Sequence, residues 1–194
     1  MSEASVKTIV MDAEEIERSL TRIAHQILEK NKGADNLAVV GIVTRGDLLA
    51  KRLVEKIESI EGARVPLGRL DISFYRDDFA SYVSPEVLST EIMFNIDGRD
   101  VVLVDDVLYT GRTIRAALDA LMDIGRPETV QLAVLIDRGH RQLPIRADYV
   151  GKNVPSAADE NVRLFLEETD GRSQVEILTI EEGTRAGSAP LGGE

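Results

Sequence analysis

The chain has 194 residues, 43% hydrophobic and 29% charged, a composition typical of a water-soluble globular domain with a sizeable core. It has no cysteine and two histidines, His25 and His140, which excludes disulfides and argues against a structural zinc site. No apolar run approaches the roughly 20 residues that span a membrane, and the polar start does not resemble a signal peptide. We therefore expect a cytoplasmic protein. The net charge of −11 argues against indiscriminate polyanion binding but is compatible with a local basic surface.

Strand-like and helix-like segments alternate along the chain. Apolar or alternating runs predict strands over residues 6–11, 37–43, 65–74, 92–96, 101–107, 130–136, 162–168 and 174–178. The first helix is expected to begin after Asp12, which forms a capping box with Glu15, and to stop at Gly33. Helices over 47–60 and 114–124 follow. Hairpins are expected between 65–74 and 92–96, and around Asp170-Gly171.

This order of elements predicts right-handed βαβ units and an α/β fold, with a central, mostly parallel sheet flanked by helices. No repeat or linker divides the chain, so residues 1–180 are expected to form a single domain. Residues 181–194 are small, polar and glycine-rich, a composition typical of a disordered tail.

Polar residues follow three of the predicted strands at the point where each strand ends. They are Thr44-Arg45-Gly46, Asp105-Asp106 and Asp137-Arg138-Gly139. Ligands of parallel sheets bind beyond the carboxyl ends of the strands, so the three clusters are expected to meet at one edge. Each has a simpler explanation by itself, because an aspartate can cap the next helix and an arginine can be an exposed loop residue.

The segment 101–113 (VVLVDDVLYTGRT) carries the most specific signal of a site. Adjacent carboxylates repel each other and lose hydration beside an apolar strand, a cost that two ligand hydroxyls or a metal ion would relieve. Thr110, Gly111 and Thr113 then open a helix, whose N–H groups and dipole favour a phosphate. Vicinal hydroxyls and a phosphate together indicate a sugar phosphate. No GxxxxGK is present, which argues against a P-loop triphosphatase.

The stretch 75–90 is long, polar and without clear periodicity. Loops of this length in compact domains are usually lids, binding loops or disordered segments. A reaction that water could spoil would use a lid here.

The segment VVLVDDVLYTGRT resembles the signature of the type I phosphoribosyltransferases, which bind 5-phosphoribosyl-1-pyrophosphate (PRPP). Other stretches resemble one branch of that family, the regulators of pyrimidine operons that are also uracil phosphoribosyltransferases. They are LTRIAHQI (20–27), VTRG (43–46), LDISFYRDD (70–78) and LAVLIDRGHRQLPIRADYVGKNVP (132–155). The resemblance covers roughly residues 5–180. It implies the type I phosphoribosyltransferase fold, with a small hood and a flexible lid near residues 75–84.

The resemblance also implies residue roles for the conversion of uracil and PRPP to UMP and pyrophosphate. Asp105 and Asp106 would bind the ribose hydroxyls, and Arg45 would bind the pyrophosphate; these three are the expected catalytic residues. Arg138 and the backbone near Val162 would lie at the uracil. The residues implied to bind PRPP or UMP are Thr44, Arg45, Asp105, Asp106, Val107, Leu108, Tyr109, Thr110, Gly111, Arg112, Thr113, Arg138 and Val162. Mg²⁺ would accompany the pyrophosphate, with no direct protein ligand.

Basic residues gather in two further places. The first is the exposed face of the first predicted helix, and the second is the segment 138–152. A solvated helix face and local salt bridges are the simpler explanations. The regulator branch implies that both instead bind a stem-loop of the pyr mRNA leader when UMP occupies the nucleotide site, as dimers or tetramers. The implied RNA-binding residues are Thr21, Arg22, His25, His140, Arg141, Arg146 and Lys152.

Three functions stay open at this point. The chain could be a bifunctional enzyme and RNA-binding regulator, acting by transcription attenuation or by blocking translation. It could be a plain nucleobase phosphoribosyltransferase with an incidental basic face. It could also be a regulator with negligible catalysis that uses UMP only as a signal.

Overall fold

The computed structural model describes residues 4–75, 89–157 and 160–180. The predicted tail, 181–194, and all but the ends of the predicted lid lie outside these ranges. Within them, no helix is both long enough and apolar enough to cross a membrane.

A sheet of five parallel strands forms the centre of the fold. Its strands are β2 (Leu37–Ile42), β3 (Leu67–Leu70), β4 (Asp100–Leu108), β5 (Thr129–Asp137) and β6 (Tyr149–Asn153), in the spatial order β3-β2-β4-β5-β6. All of β2 is buried, as expected for a strand covered on both faces. The predicted α/β fold with a central parallel sheet is confirmed.

Three long helices cover the two faces of this sheet. They are α1 (Ala13–Asn31), α2 (Arg45–Glu61) and α3 (Arg112–Ile124). Along β4, Val102 and Val104 pack with α1 and α2, whereas Val101 and Leu103 pack with α3. Because successive strand side chains point to opposite faces, the sheet separates two apolar cores.

The first helix follows the prediction closely. The Asp12 carboxylate accepts a hydrogen bond from the Glu15 N–H at 2.8 Å, and the Glu15 carboxylate accepts one from the Asp12 N–H at 3.1 Å, which completes the capping box. The helix ends at Asn31, and both Lys32 (φ 58°) and Gly33 (φ 117°) have positive φ. The predicted stop at Gly33 is therefore correct to within two residues.

A second, antiparallel sheet of three strands lies beside the first, and we call it the hood. It consists of β1 (Ala4–Met11), β7 (Glu160–Phe165) and β8 (Gln174–Ile180), in the order β1-β8-β7. The predicted pairing of the last two strands is confirmed, but the tight turn is wrong. A short helix, α4 (Glu167–Asp170), joins them, and Gly171 (φ 66°) ends it. The Asp170 carboxylate accepts from the Leu166 N–H at 2.9 Å, which favours this helical turn.

Two further predictions about strands were wrong. The hairpin of 65–74 with 92–96 is reduced to β3 and a single antiparallel bridge between Arg69 and Glu91. The Asp71 carboxylate accepts hydrogen bonds from the Ser73 N–H and hydroxyl, which turns the chain into a 3₁₀ helix at Ser73–Tyr75. The strand β6 was missed because its sequence, YVGKN, has no sustained apolar run.

Candidate active site and basic surface

The two acids lie inside β4, near its carboxyl end. Asp105 is buried and pairs in register with Val134 of β5. The Asp105 carboxylate accepts from the Asp106 N–H at 3.0 Å, and the Asp106 carboxylate accepts from the Val107 N–H at 2.7 Å. Burial raises the pKa of Asp106, and the Val107 N–H and the positive charge of Arg45 oppose that rise. The carboxylates are thus held by main-chain donors at the edge where strands end.

The loop before α2 packs directly against these acids. It includes a cis peptide bond between Val43 and Thr44, and Arg45 is the first residue of the helix. A Cβ atom on Gly46 would lie 2.5 Å from the Val104 carbonyl oxygen and 3.1 Å from the Asp105 Cα. Only glycine permits this approach. Two of the predicted clusters therefore meet, as the parallel sheet required.

The Arg45 side chain forms an ion pair that the sequence did not predict. Its Nη2 lies 3.2 Å and 3.4 Å from the two carboxylate oxygens of Asp170 in α4. Both side chains are largely buried. The dipeptide Asp170-Gly171 predicts a turn, and nothing in the local sequence indicates a partner 125 positions earlier.

Residues 109–111 connect β4 to α3, and the Thr110 hydroxyl accepts a long hydrogen bond, of 3.4 Å, from the Arg112 N–H at the start of that helix. Gly111 is the N-cap, with a φ of 94°, a conformation that favours glycine. The Thr110 carbonyl accepts from the Gln142 and Leu143 N–H groups at 3.0 Å and 3.2 Å, which fixes the loop. A helix N-terminus presents N–H groups that bind phosphate well.

Arg138 is buried at the end of β5 and holds the segment that leads into the hood. Its guanidinium donates to the Ser156 hydroxyl and the Ala157 carbonyl at 2.9 Å and to the Glu160 carbonyl at 2.7 Å. It also stacks 4.2 Å from the ring centre of Tyr109. The Val162 side chain is buried in the apolar core, so its main chain is the part suited to a ligand.

Asp105 and Asp106 could supply only some of the ligands that a metal ion needs. Among the described residues, no group of three or more His, Cys, Asp or Glu side chains is arranged to hold one. Two adjacent carboxylates supply oxygen atoms of the kind that Mg²⁺ prefers, but Mg²⁺ needs about six ligands. The two carboxylates therefore fit a Mg²⁺ ion that would take most of its ligands from a bound phosphate compound.

The predicted RNA-binding residues of α1 are exposed, and they divide between two sides of the helix. Arg22 donates to the Val150 and Gly151 carbonyls of β6 at 3.2 Å and 2.5 Å. The neighbouring Lys152 donates to the Val10 carbonyl at 2.6 Å. Arg22 therefore lies against β6, the strand that carries Lys152, and we call these two residues the basic surface.

Thr21 and His25 line a groove of about 580 Å³ between α1 and α2. Arg52 and Lys56 of α2 contribute its cations, and both pair with the Glu17 carboxylate, at 3.2 Å and 2.8 Å. Arg52 also pairs with Glu168 of α4 through two bonds, of 2.9 Å and 2.6 Å. No local sequence pattern indicates these α2 residues, because their partners lie on other elements.

The other predicted RNA-binding residues follow β5. The His140 Nε2 lies 2.6 Å from the Ser156 carbonyl oxygen and therefore carries the proton in that bond. Arg141 donates to the Tyr109 carbonyl at 2.8 Å and to the Ile145 carbonyl at 2.9 Å. Arg146 is exposed. Arg141 is thus bound to the loop that precedes α3, where the 5-phosphate is predicted to bind.

Comparisons with known proteins agree with this geometry. The family model for the phosphoribosyl transferase domain matches residues 8–169. "Bifunctional protein PyrR" of Deinococcus radiodurans is 57% identical over 177 residues, which cover 91% of this chain and 97% of that protein. The protein of the same name from Pelotomaculum thermopropionicum is 59% identical over 180 residues, covering 92% and 99%.

The chain belongs to the PyrR family of phosphoribosyltransferases. The family and the branch predicted from the sequence are confirmed. The fold is also that of the hypoxanthine phosphoribosyltransferase of Trypanosoma cruzi, with a TM-score of 0.69, 21% identity and coverage of 91% of this chain and 98% of that one. A Staphylococcus aureus hypoxanthine phosphoribosyltransferase gives a TM-score of 0.67 at 22% identity, covering 91% and 94%.

Proposed function

We propose that this PyrR family member converts uracil and PRPP to UMP and pyrophosphate, and that it binds a stem-loop of the pyr mRNA leader when UMP occupies the same pocket. One observation carries the catalytic half. The loop at Gly46, the acids Asp105 and Asp106, and the start of α3 lie at one edge of one sheet. Those parts match the three parts of PRPP: pyrophosphate, ribose hydroxyls and 5-phosphate.

The reaction follows from where charge develops. As the bond from C1 to pyrophosphate breaks, positive charge builds on the sugar, beside Asp105 and Asp106, and negative charge builds on the leaving group. Arg45 stabilises the leaving group, and a nitrogen of uracil attacks C1 and releases its proton to the departing pyrophosphate. Mg²⁺ bound to PRPP oxygens would neutralise part of the pyrophosphate charge. No covalent intermediate is required, because positioning and electrostatic stabilisation supply the catalysis.

The base is proposed to lie between β5 and the start of β7. Arg138 fixes this region by binding the Ala157 and Glu160 carbonyls, which orders the backbone just before Val162. Several N–H donors of the Arg138 guanidinium already bind oxygen atoms of the protein. We therefore expect Arg138 to shape the uracil site and the Val162 backbone to contact the base.

The RNA-binding half rests on exposed cations. Arg22 lies against β6, Lys152 belongs to that strand, and Arg146 precedes it. Arg and His side chains on a folded surface suit the splayed bases and phosphates of an RNA loop. We propose that two or four copies of the chain assemble in the cytoplasm and bring such surfaces together to bind the leader.

A paired assay tests both halves. We expect the wild type to form UMP from uracil and PRPP, and to bind a pyr leader hairpin more tightly when UMP is added. Asp105→Asn should lower kcat/KM by about 10- to 100-fold, because a charged hydrogen bond to ribose is lost. His25→Ala should weaken RNA binding and leave turnover intact. Turnover and gel-shift measurements on the same preparations check this.

Arg141→Ala is a different case, since Arg141 also binds the Tyr109 carbonyl. We expect it to lower both RNA binding and turnover. UMP formation with no RNA binding would instead support a plain phosphoribosyltransferase. Tight RNA binding with no UMP formation would support a regulator without catalysis.

A further inference from the structure

The Arg45 guanidinium is only partly satisfied by its ion pair. Its Nη2 lies 3.2 Å and 3.4 Å from the Asp170 oxygens, which is longer than the 2.7–2.9 Å typical of a strong charge-assisted bond. Its Nε–H is buried and meets no acceptor within the described ranges. A buried donor without an acceptor is unfavourable. The side chain would therefore gain from moving to an anion that reaches more of its donors.

Asp170, by contrast, does not depend on Arg45. The Leu166 N–H and the Thr169 hydroxyl donate to it at 2.9 Å and 2.8 Å. The pKa of Asp170 is lowered first by the Leu166 N–H and then by Thr169, with a smaller contribution from Arg45. The carboxylate therefore keeps its charge and its hydrogen bonds when Arg45 leaves.

The short helix that carries Asp170 is anchored separately. Arg52 of α2 binds both carboxylate oxygens of Glu168, at 2.9 Å and 2.6 Å. These distances are those of a strong pair with two parallel bonds. α4 can thus stay docked on α2 while Arg45, at the start of α2, changes partner.

We propose that Asp170 is a positioning residue that holds Arg45 in the ligand-free chain and releases it to the pyrophosphate group of PRPP. This rests on the proposed function, in which Arg45 binds that pyrophosphate. A multiply charged anion competes well with one carboxylate and gives the buried Nε–H an acceptor. The pair that must be broken then lowers the affinity of the chain for PRPP and for product pyrophosphate.

Asp170→Asn tests this, because the amide oxygen still accepts from Leu166 and Thr169 while the attraction for Arg45 is lost. We expect the Kd for pyrophosphate with Mg²⁺, measured by calorimetry, to fall roughly 2- to 5-fold, the range for a partly exposed ion pair. The KM for PRPP should fall in parallel, with kcat and the KM for uracil unchanged. A merely structural role would instead raise KM or lower kcat.

Glu167→Gln is the matched control, since it removes the same charge from an exposed position of the same helix and leaves both the Arg45–Asp170 and the Arg52–Glu168 pairs in place. It should leave the Kd for pyrophosphate unchanged. Equal tightening in both variants, or no tightening in Asp170→Asn, would overturn the proposal. A wild-type crystal structure with pyrophosphate gives a second test: an intact Arg45–Asp170 pair there also overturns it. If the wild type binds no pyrophosphate at all, the proposed function fails as well.

Discussion

Charged side chains are packed against the main chain at the pocket edge of the sheet, whereas they are exposed to solvent on the basic surface. At the pocket, Asp105 is buried and Asp106 is partly buried, both carboxylates accept hydrogen bonds from main-chain N–H groups, and the N-cap residue Gly111 offers no side chain. On the basic surface, Arg22 and Lys152 stay in solvent and bind main-chain carbonyls. Ligand binding at the pocket therefore depends on close backbone packing and desolvation. RNA binding at the surface would depend on the N–H donors of exposed cations. Changes should have large effects at the first and graded, salt-dependent effects at the second.

The largest effect is expected at Gly46. Gly46→Ala places a Cβ 2.5 Å from the Val104 carbonyl oxygen, and we expect a loss of about 2–3 kcal/mol in the free energy of unfolding, with much weaker PRPP binding. Denaturant unfolding and PRPP titration measure these. Gly62→Ala is the control: its φ of 70° costs about 1 kcal/mol, but no atom lies within 4 Å of the added Cβ. Equal losses in the two variants would show that the backbone contact is unimportant.

An intermediate effect is expected on the basic surface. Arg22→Ala should weaken hairpin binding about 5- to 10-fold and reduce the salt slope of binding by about one, as expected for one lost phosphate contact. Turnover should be unchanged. Arg18→Ala removes the same charge from the same helix, but Arg18 pairs with Glu14 at 2.9 Å, so its loss should matter less. Gel shifts at several salt concentrations would contradict this assignment if the two variants behaved alike.

The smallest effect concerns stability and pH. Burial raises the pKa of Asp106 above that in the unfolded chain, so its stabilising contribution is complete at low pH and is lost as pH rises through the folded-state pKa. Asp106→Asn removes this ionisation. We therefore expect the variant to be inactive yet more stable than the wild type near pH 8, with a higher Tm.

This advantage of Asp106→Asn should shrink as pH falls and vanish below about pH 3, where aspartate is protonated in both the folded and the unfolded chain. Thermal unfolding across pH measures it. Asp119→Asn, at an exposed position of α3, should change Tm little at any pH. A wild type that matches Asp106→Asn at high pH would mean that the carboxylate carries no burial cost.

The sequence predicted the sheet and the edge where its polar clusters meet, because long apolar runs and the parallel βαβ order leave few alternatives. Predictions from the sequence are wrong where a tertiary contact determines the local structure. Asp170 is predicted to be a turn residue, but its carboxylate accepts from the Leu166 N–H and pairs with Arg45. β6 was missed because Gly151 and Lys152 interrupt its apolar pattern. The direction of the Arg141 side chain, toward Tyr109, also has no local signal.

The loop after β5 carries two predicted RNA-binding residues, His140 and Arg141, and binds the loop before α3 directly. Arg138 stacks on Tyr109, Arg141 binds the Tyr109 carbonyl, and His140 binds the Ser156 carbonyl. If UMP strengthens RNA binding by some factor through these bonds, RNA must strengthen UMP binding by the same factor. A bound leader transcript would then retain the product in the pocket. The RNA that this protein regulates would in that way act as an inhibitor of its enzyme turnover.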